Sequence, residues 1–225
     1  GTIRNELQRL RACFCFMMER VEPKEQRLKV DLIPYVELPP PSPPRDRVLD
    51  EEEINLLREI CPSLILKGSG RRQSNRVSRI GRFIMLAMET AQRKAAILEL
   101  TWDRVDFKTN RIDFNPKGRQ QTKKKRPTVS MSPRLREALL RAKEEAISDY
   151  VLDKKTEVYE AVVSFGKSIG IDDLNPHVFR HTWATRAVMR GVDLTKVALM
   201  LGDRIKTVEE NYQHLTPDYL DDVHD

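Results

Sequence analysis

The chain has 225 residues, 40% of them hydrophobic and 33% charged, with a formal net charge of +6. That composition excludes a disordered or fibrous chain and fits one large globular domain, or one domain with an extra piece. The positive balance suits a polyanionic partner, and the longest apolar run, Ala12 to Met18, is too short to span a bilayer.

Residues 2–20 read as an amphipathic helix. Ile3, Leu7, Leu10, Phe14 and Met17/Met18 recur at three- to four-residue spacing among Arg4, Arg9 and Arg11. Such a stripe wants a partner, so the segment reads as the last element of a preceding domain, with Gly1 a cloning remnant. Pro34, Pro39, Pro40, Pro41, Pro43 and Pro44 then mark a semi-rigid extended linker. No cleavage site for a signal peptide is recognisable. Cys13, Cys15 and Cys61 form no metal spacing, and their odd number argues against a disulfide framework. A reducing, intracellular compartment is the expectation.

The main domain opens at Asp50, an N-cap with Glu53 completing a capping box. Ile54, Leu57 and Ile60 form the buried stripe, and Pro62 ends the helix. Residues 71–82 carry five arginines and no acid; without balancing acids the stretch reads as a DNA-facing surface rather than a solvated helix start. Ile80, Phe83, Ile84, Ala87 and Met88 predict a core-facing helix, and a second helix is expected from about Gln92 to Leu100. Val105 and Phe107, then Ile112 and Phe114, alternate around Lys108-Thr109-Asn110 and predict a hairpin. A third strand is expected over 127–131. Between the second and third strands, six of the ten residues 117–126 are basic. Most lysine runs are merely solvated, but this density at a hairpin tip also suits a phosphate backbone.

Ser132-Pro133 predicts a helix start and a helix to about Ser148. Thr156 is the expected cap of the next, with Val158, Val162 and Phe165 inward and Gly170 beyond its end. Asn175 and Pro176 open a helix that stops at Gly191. Asp193 caps another, stopped by Gly202. Thr207 to Glu210 reads as a capping box for a short helix carrying Tyr212. Asp218, Asp221, Asp222 and Asp225 make an acidic tail, and no internal repeat is visible.

The helix from Pro176 carries His177, Arg180 and His181 three and four residues apart, on one face. Two imidazoles and a guanidinium are unsuited to a core face, and they suit an anion. The His-x-x-x-His spacing also permits two metal ligands, but Val178 stands where a metalloprotease has its glutamate. With a downstream tyrosine and a basic surface, the pattern fits phosphodiester transfer. That chemistry needs a nucleophile, positive charge on the non-bridging oxygens and a proton for the leaving oxygen. Arginine forks match two phosphate oxygens, so no metal or other cofactor is required.

These residues resemble those of the tyrosine recombinases, or phage-type integrases. Thr90-Ala91-Gln92-Arg93 and Leu98-Glu99-Leu100-Thr101-Trp102 match the first-arginine motif. His177-Val178-Phe179-Arg180-His181-Thr182 matches the central box, and Leu201-Gly202-Asp203 stands at the third. Tyr212, nine residues after Asp203 and followed by Gln213-His214, stands where the nucleophile belongs. Thr2 to Ala12 is similar to the last helix of the family's core-binding domain, and Arg47 to Glu53 to the start of its catalytic domain.

The resemblance implies a mainly α fold with a small antiparallel β-sheet (α+β). It implies a core-binding helix over 1–30, a linker over 31–46, a catalytic domain over 47–216 and a tail over 217–225. It further implies Tyr212 as nucleophile, Arg93 and Arg180 as the phosphate clamp, His177 assisting and a hairpin lysine as the acid. Counting back from Val129 favours Lys123, with Lys124 and Lys117 as candidates. His181 and His214 would support the site. Arg71, Arg72, Arg76, Arg79, Lys117, Arg119, Lys124, Lys125 and Arg126 would meet DNA. The partner is double-stranded DNA, with a homotetramer on it and a monomer when free; no membrane is involved, and the expected setting is a bacterial cytoplasm, at the nucleoid.

Three departures from the family pattern stand out. Ala96 replaces a carboxylate, the hairpin is longer than usual, and Asp203 replaces a hydrogen-bond-donating His or Trp. Ionised, Asp203 cannot donate. It is expected to be protonated, turned away, or relieved by Lys206 or His214, and to slow cleavage without abolishing it. Two other readings are a topoisomerase of type IB chemistry and a catalytically weakened DNA-binding regulator.

Overall fold

The computed structural model describes residues 2–29, 31, 34–40, 47–63, 77–122 and 124–216. Linker residues 41–46, Arg71, Arg72, Arg76, Lys123 and the tail from 217 lie outside these. The chain divides into two units, Gly1–Asp46 and Arg47–Asp225. Among the described residues no helix is long and apolar enough to cross a membrane.

In the first unit the expected helix forms as α1, Thr2–Glu19. Its apolar residues are incompletely covered: Ile3, Leu10 and Phe16 are exposed. The chain then turns back, and Leu28 N–H donates to the Met17 carbonyl at 3.2 Å.

The second unit opens with α2, Glu51–Ile60, whose capping box joins Asp50 and Glu53 as the sequence predicts. Next come α3, Arg79–Thr90, and the five-residue α4, Lys94–Leu98. The two helices expected here form, separated by Ala91 in a left-handed conformation, φ 53°, and the second is shorter than the 92–100 expected. Strands β1 (Val105–Asp106), β2 (Arg111–Asp113) and β3 (Thr128–Ser130) form an antiparallel sheet in that order. Val105, Ile112 and Val129 lie directly opposite one another, so one buried row crosses the whole sheet. The helices α5 (Pro133–Glu144), α6 (Tyr159–Ser168), α7 (Pro176–Met189), α8 (Leu194–Leu201) and α9 (Ile205–Tyr212) follow.

Two expected caps are corrected. Glu157, not Thr156, accepts the N–H groups of Val158 and Tyr159 at the start of α6. Helix α9 begins before Thr207, behind Arg204, which makes no side-chain capping bond. In each case a side chain already near the free N–H groups, or tertiary packing, replaced the local signal.

Helix α3 is the centre of the second unit. It buries Phe83, Ile84, Leu86 and Ala87 and packs on α5, α6 and α7. A helix apolar on most sides belongs inside. A separate, smaller cluster joins Ala184, Ala187 and Val188 of α7 to Val197, Ala198 and Leu201 of α8 and Val208 of α9. Trp183 and Tyr212 pack against this cluster, so packing of α8 and α9 on α7 sets where the tyrosine stands.

The arginine-rich stretch is corrected at its described end. Arg82 is 2% exposed; it donates to the Val151 carbonyl at 2.6 Å and pairs with Asp153. Arg79 donates to the carbonyls of Leu152, Lys154, Thr156 and Glu157. Both tie down the 151–157 connection, since buried carbonyls need donors and arginine offers five. Replacing Arg79 with Ala is therefore expected to speed amide exchange across 152–157. Unchanged exchange there would show that Arg79 does not hold the connection.

Candidate active site

Helix α7 builds one wall of the site. Asn175 caps it, accepting the His177 N–H at 3.0 Å, and Pro176 stands at its first turn. The opposite side of the helix is anchored: Val178 and Phe179 are buried, and Thr182 Oγ1 accepts the Leu49 N–H at 2.9 Å. With that face in the core, His177, Arg180 and His181 are aimed the other way.

Arg180 is 5% exposed and held by backbone. Its Nη1 donates to the carbonyls of Ala91 and Leu201, each at 2.9 Å, and its Nη2 pairs with Asp203. Arg93 approaches from the α3–α4 turn. Its Nη1 donates to the Lys125 carbonyl at 2.9 Å, and its Nη2 to the Gly202 carbonyl at 3.2 Å and to Asp203. Each arginine takes a different oxygen of the one carboxylate. Two guanidinium groups from distant parts of the chain thus converge on a single two-oxygen anion.

That arrangement is what a phosphate clamp requires. Burial lowers the Arg93 pKa, the like charge of Arg180 lowers it further, and Asp203 opposes both. Asp203 is therefore not turned away from the arginines. Its side chain, 24% exposed, lies between the arginines and neutralises them.

Tyr212, half-buried at the end of α9, sets its hydroxyl 3.1 Å from His181 Nδ1. Burial first, and then the Asp203 charge, raise the Tyr212 pKa above the ordinary phenol value, while Arg180 opposes them. His177 stands at the exposed rim. Partial desolvation, then the charges of Arg180 and His181, lower its pKa below the usual imidazole value. Among the described residues no His, Cys, Asp or Glu completes a metal-ligand set with His177 and His181.

The hairpin base reaches the same place. Gly202 has φ 63°, and a Cβ there would lie 2.5 Å from the Lys125 carbonyl oxygen. Lys117, Lys124 and Lys125 are exposed, as a phosphate-facing loop needs. Two of its arginines are otherwise engaged. Arg126 pairs with Glu99 at 2.6 Å, and Arg119 bonds to Asn115 at 3.0 Å within the loop. His214 lies exposed on the short turn Gln213–Leu215, and no described hydrogen bond joins it to the arginines.

Four parts of the site escape sequence reasoning. They are the carbonyls of Ala91, Leu201, Lys125 and Gly202, which aim the arginines. Backbone acceptors carry no residue-type signal, although the stop at Gly202 hinted at one of them. Gln92 is a fifth, 2% exposed and bonded to the Met200 carbonyl at 2.7 Å, tying the α3–α4 turn to α8. Ala96 is buried in the core, where a carboxylate would need a partner.

The site thus sets two converging arginines and a tyrosine beside a histidine in a helical domain with a small sheet. Residues 47–218 match the phage integrase family, and the chain belongs to it. Among its relatives is the tyrosine recombinase XerA of Saccharolobus solfataricus, 27% identical over 188 residues, covering 82% of this chain and 59% of the relative. The chain thus spans less than two thirds of that protein. The structure of the XerH site-specific recombinase bound to palindromic difH substrate has a similar fold, with a TM-score of 0.70 at 16% identity, covering 98% of this chain and 65% of that one. The catalytic domain of bacteriophage HP1 integrase matches with a TM-score of 0.56 at 21% identity, covering 79% of this chain and 92% of that one.

Proposed function

We propose that the chain is the catalytic part of a site-specific DNA recombinase of the prophage or genomic-island type, which cuts and rejoins duplex DNA through a 3′-phosphotyrosine on Tyr212 without a metal. The observation that carries this is the convergence of Arg93 and Arg180 on one anion, beside the Tyr212 hydroxyl. In this reading a scissile phosphate takes the place now held by the Asp203 carboxylate. Two of its oxygens meet the two Nη2 atoms, and charge building on them in the transition state is neutralised by groups already in place.

Tyr212 attacks, a 5′-hydroxyl leaves, and the reverse step with a partner strand completes exchange. His177, uncharged at neutral pH by its lowered pKa, binds a phosphate oxygen at the rim or relays a proton. The acid for the 5′-oxygen is a hairpin lysine, with Lys123 the first choice and Lys124 and Lys117 the others; cleavage rates of the three Lys→Ala variants identify it. DNA meets the exposed hairpin lysines, and rising salt weakens binding steeply. The assembly on two duplexes is a tetramer, and the free protein is a monomer in the cytoplasm.

The test is relaxation of supercoiled plasmid in EDTA by the full-length protein beside Tyr212→Phe. Relaxation that disappears in the variant supports metal-free covalent tyrosine chemistry. Persistent relaxation in the variant displaces Tyr212. Asp203 between the arginines favours one second reading, a DNA-binding regulator with a blocked clamp. DNA binding without relaxation by either protein would favour it.

A further inference from the structure

We propose that His181 is the base that takes the phenolic proton of Tyr212 as the tyrosine attacks, through Nδ1. This rests on the recombinase reading and adds the proton acceptor, which the arginines and the hairpin lysine cannot provide because they are cations. Among the described residues, His181 Nδ1 is the hydrogen-bonding partner of the Tyr212 hydroxyl, at 3.1 Å. The rings are tilted at 36° with centroids 5.4 Å apart, so the contact is through the heteroatoms and not a stack. A pair at this distance is within reach for proton transfer and tightens as substrate seats.

Position supports the role. His181 follows Arg180 on α7, so the helix that aims the clamp also aims the base. Tyr212 and Trp183 pack on the small α7–α8–α9 cluster, which holds phenol and imidazole in register. A half-buried phenol is slow to ionise unaided, and burial makes this one weaker still. Arg180 favours the phenolate, whereas Asp203 opposes it; a phosphate replacing that carboxylate would keep an anion there. A proton acceptor is therefore needed at the moment of attack. His177 sits at the exposed rim and is not bonded to the hydroxyl among the described contacts.

The step balances. The Tyr212 O–H bond breaks and an Nδ1–H bond forms, turning a neutral imidazole into imidazolium. The tyrosine oxygen makes its bond to phosphorus, the bond from phosphorus to the 5′-oxygen breaks, and that oxygen takes a proton from the lysine. In reversal a 5′-hydroxyl attacks, its proton returns to the lysine, and imidazolium restores the tyrosine hydroxyl.

The experiment measures covalent protein–DNA adduct on supercoiled plasmid with the full-length protein, Tyr212→Phe, His181→Asn and His181→Ala. His181→Asn keeps a polar atom near Nδ1 but cannot hold the proton. It is expected to slow adduct formation by about 100-fold or more. His181→Ala is expected to be as slow, and to recover with added imidazole in proportion to its unprotonated fraction. Recovery also shows that the variant is folded. His181→Asn at the unmodified rate, or His181→Ala untouched by imidazole, overturns the assignment. Absence of adduct from the unmodified protein overturns the recombinase reading itself, and this inference with it.

Discussion

Replacing Asp203 with Asn is expected to speed covalent adduct formation by about 10- to 100-fold and to make the domain less stable. The carboxylate occupies the place between Arg93 and Arg180 that a phosphate takes in the proposed mechanism. A DNA phosphate therefore competes with a charge tethered in the clamp. Two unit charges about 4 Å apart interact by about 4 kcal/mol at an effective dielectric of 20. The Asp203 side chain is 24% exposed, so solvent screens part of that. A residual effect of about 1.4–2.7 kcal/mol gives the quoted range.

The stability effect has the opposite sign. Removing one partner of a buried ion pair costs about 3–5 kcal/mol. Asn keeps an oxygen for the arginines and the site is partly open, so about 1–2 kcal/mol is expected. Melting with and without inorganic phosphate separates the two effects. The variant melts lower alone and gains more from phosphate, because a ligand stabilises in proportion to its affinity. Asp203→His adds a donor and is expected to match or exceed the Asn variant in rate. A drop below the unmodified rate in both variants, with the fold intact, would show that the carboxylate serves the chemistry.

Gly202→Ala is expected to damage fold and site together. At φ 63° an alanine pays the left-handed penalty of about 1–2 kcal/mol. Its Cβ would stand 2.5 Å from the Lys125 carbonyl oxygen and 2.9 Å from Pro127 Cδ, and backbone cannot swing aside as a side-chain tip can. Overpacking of this kind costs about 1–3 kcal/mol. The total of about 2–5 kcal/mol lowers melting by roughly 5–15 °C in a domain of this size. Because Lys125 and Gly202 both offer carbonyls to Arg93, the displaced hairpin also turns that arginine. Adduct formation should fall more than the folded fraction does. Equal melting temperatures for Gly202→Ala and the unmodified chain would show that the hairpin yields at no cost.

The local code determined much of this. Asn175-Pro176, Asp50 with Glu53, Ser132-Pro133 and Asp193 mark helix starts by satisfying free N–H groups within a few residues, and all four function as caps in the structure. Alternation at Val105, Ile112 and Val129 marked the sheet for the same reason: side chains on a strand have a period of two. The spacing of His177, Arg180 and His181 put them on one helix face before any fold was known.

Tertiary structure decided what those residues meet. Nothing in the arginine-rich stretch told Arg79 and Arg82 from the arginines before them; their carbonyl and carboxylate partners come from 151–157, some seventy residues away. The break near Ala91 was legible in the sequence, but that its carbonyl accepts from Arg180, 89 residues away, was not. Asp203 read as a flawed third box. Only the fold shows its carboxylate shared by Arg93 and Arg180, 110 and 23 residues away in sequence. Caps and periodicity act over a few residues and can be read along the chain. Charge pairing, buried backbone acceptors and close approaches depend on distance in space, which the order of residues does not contain.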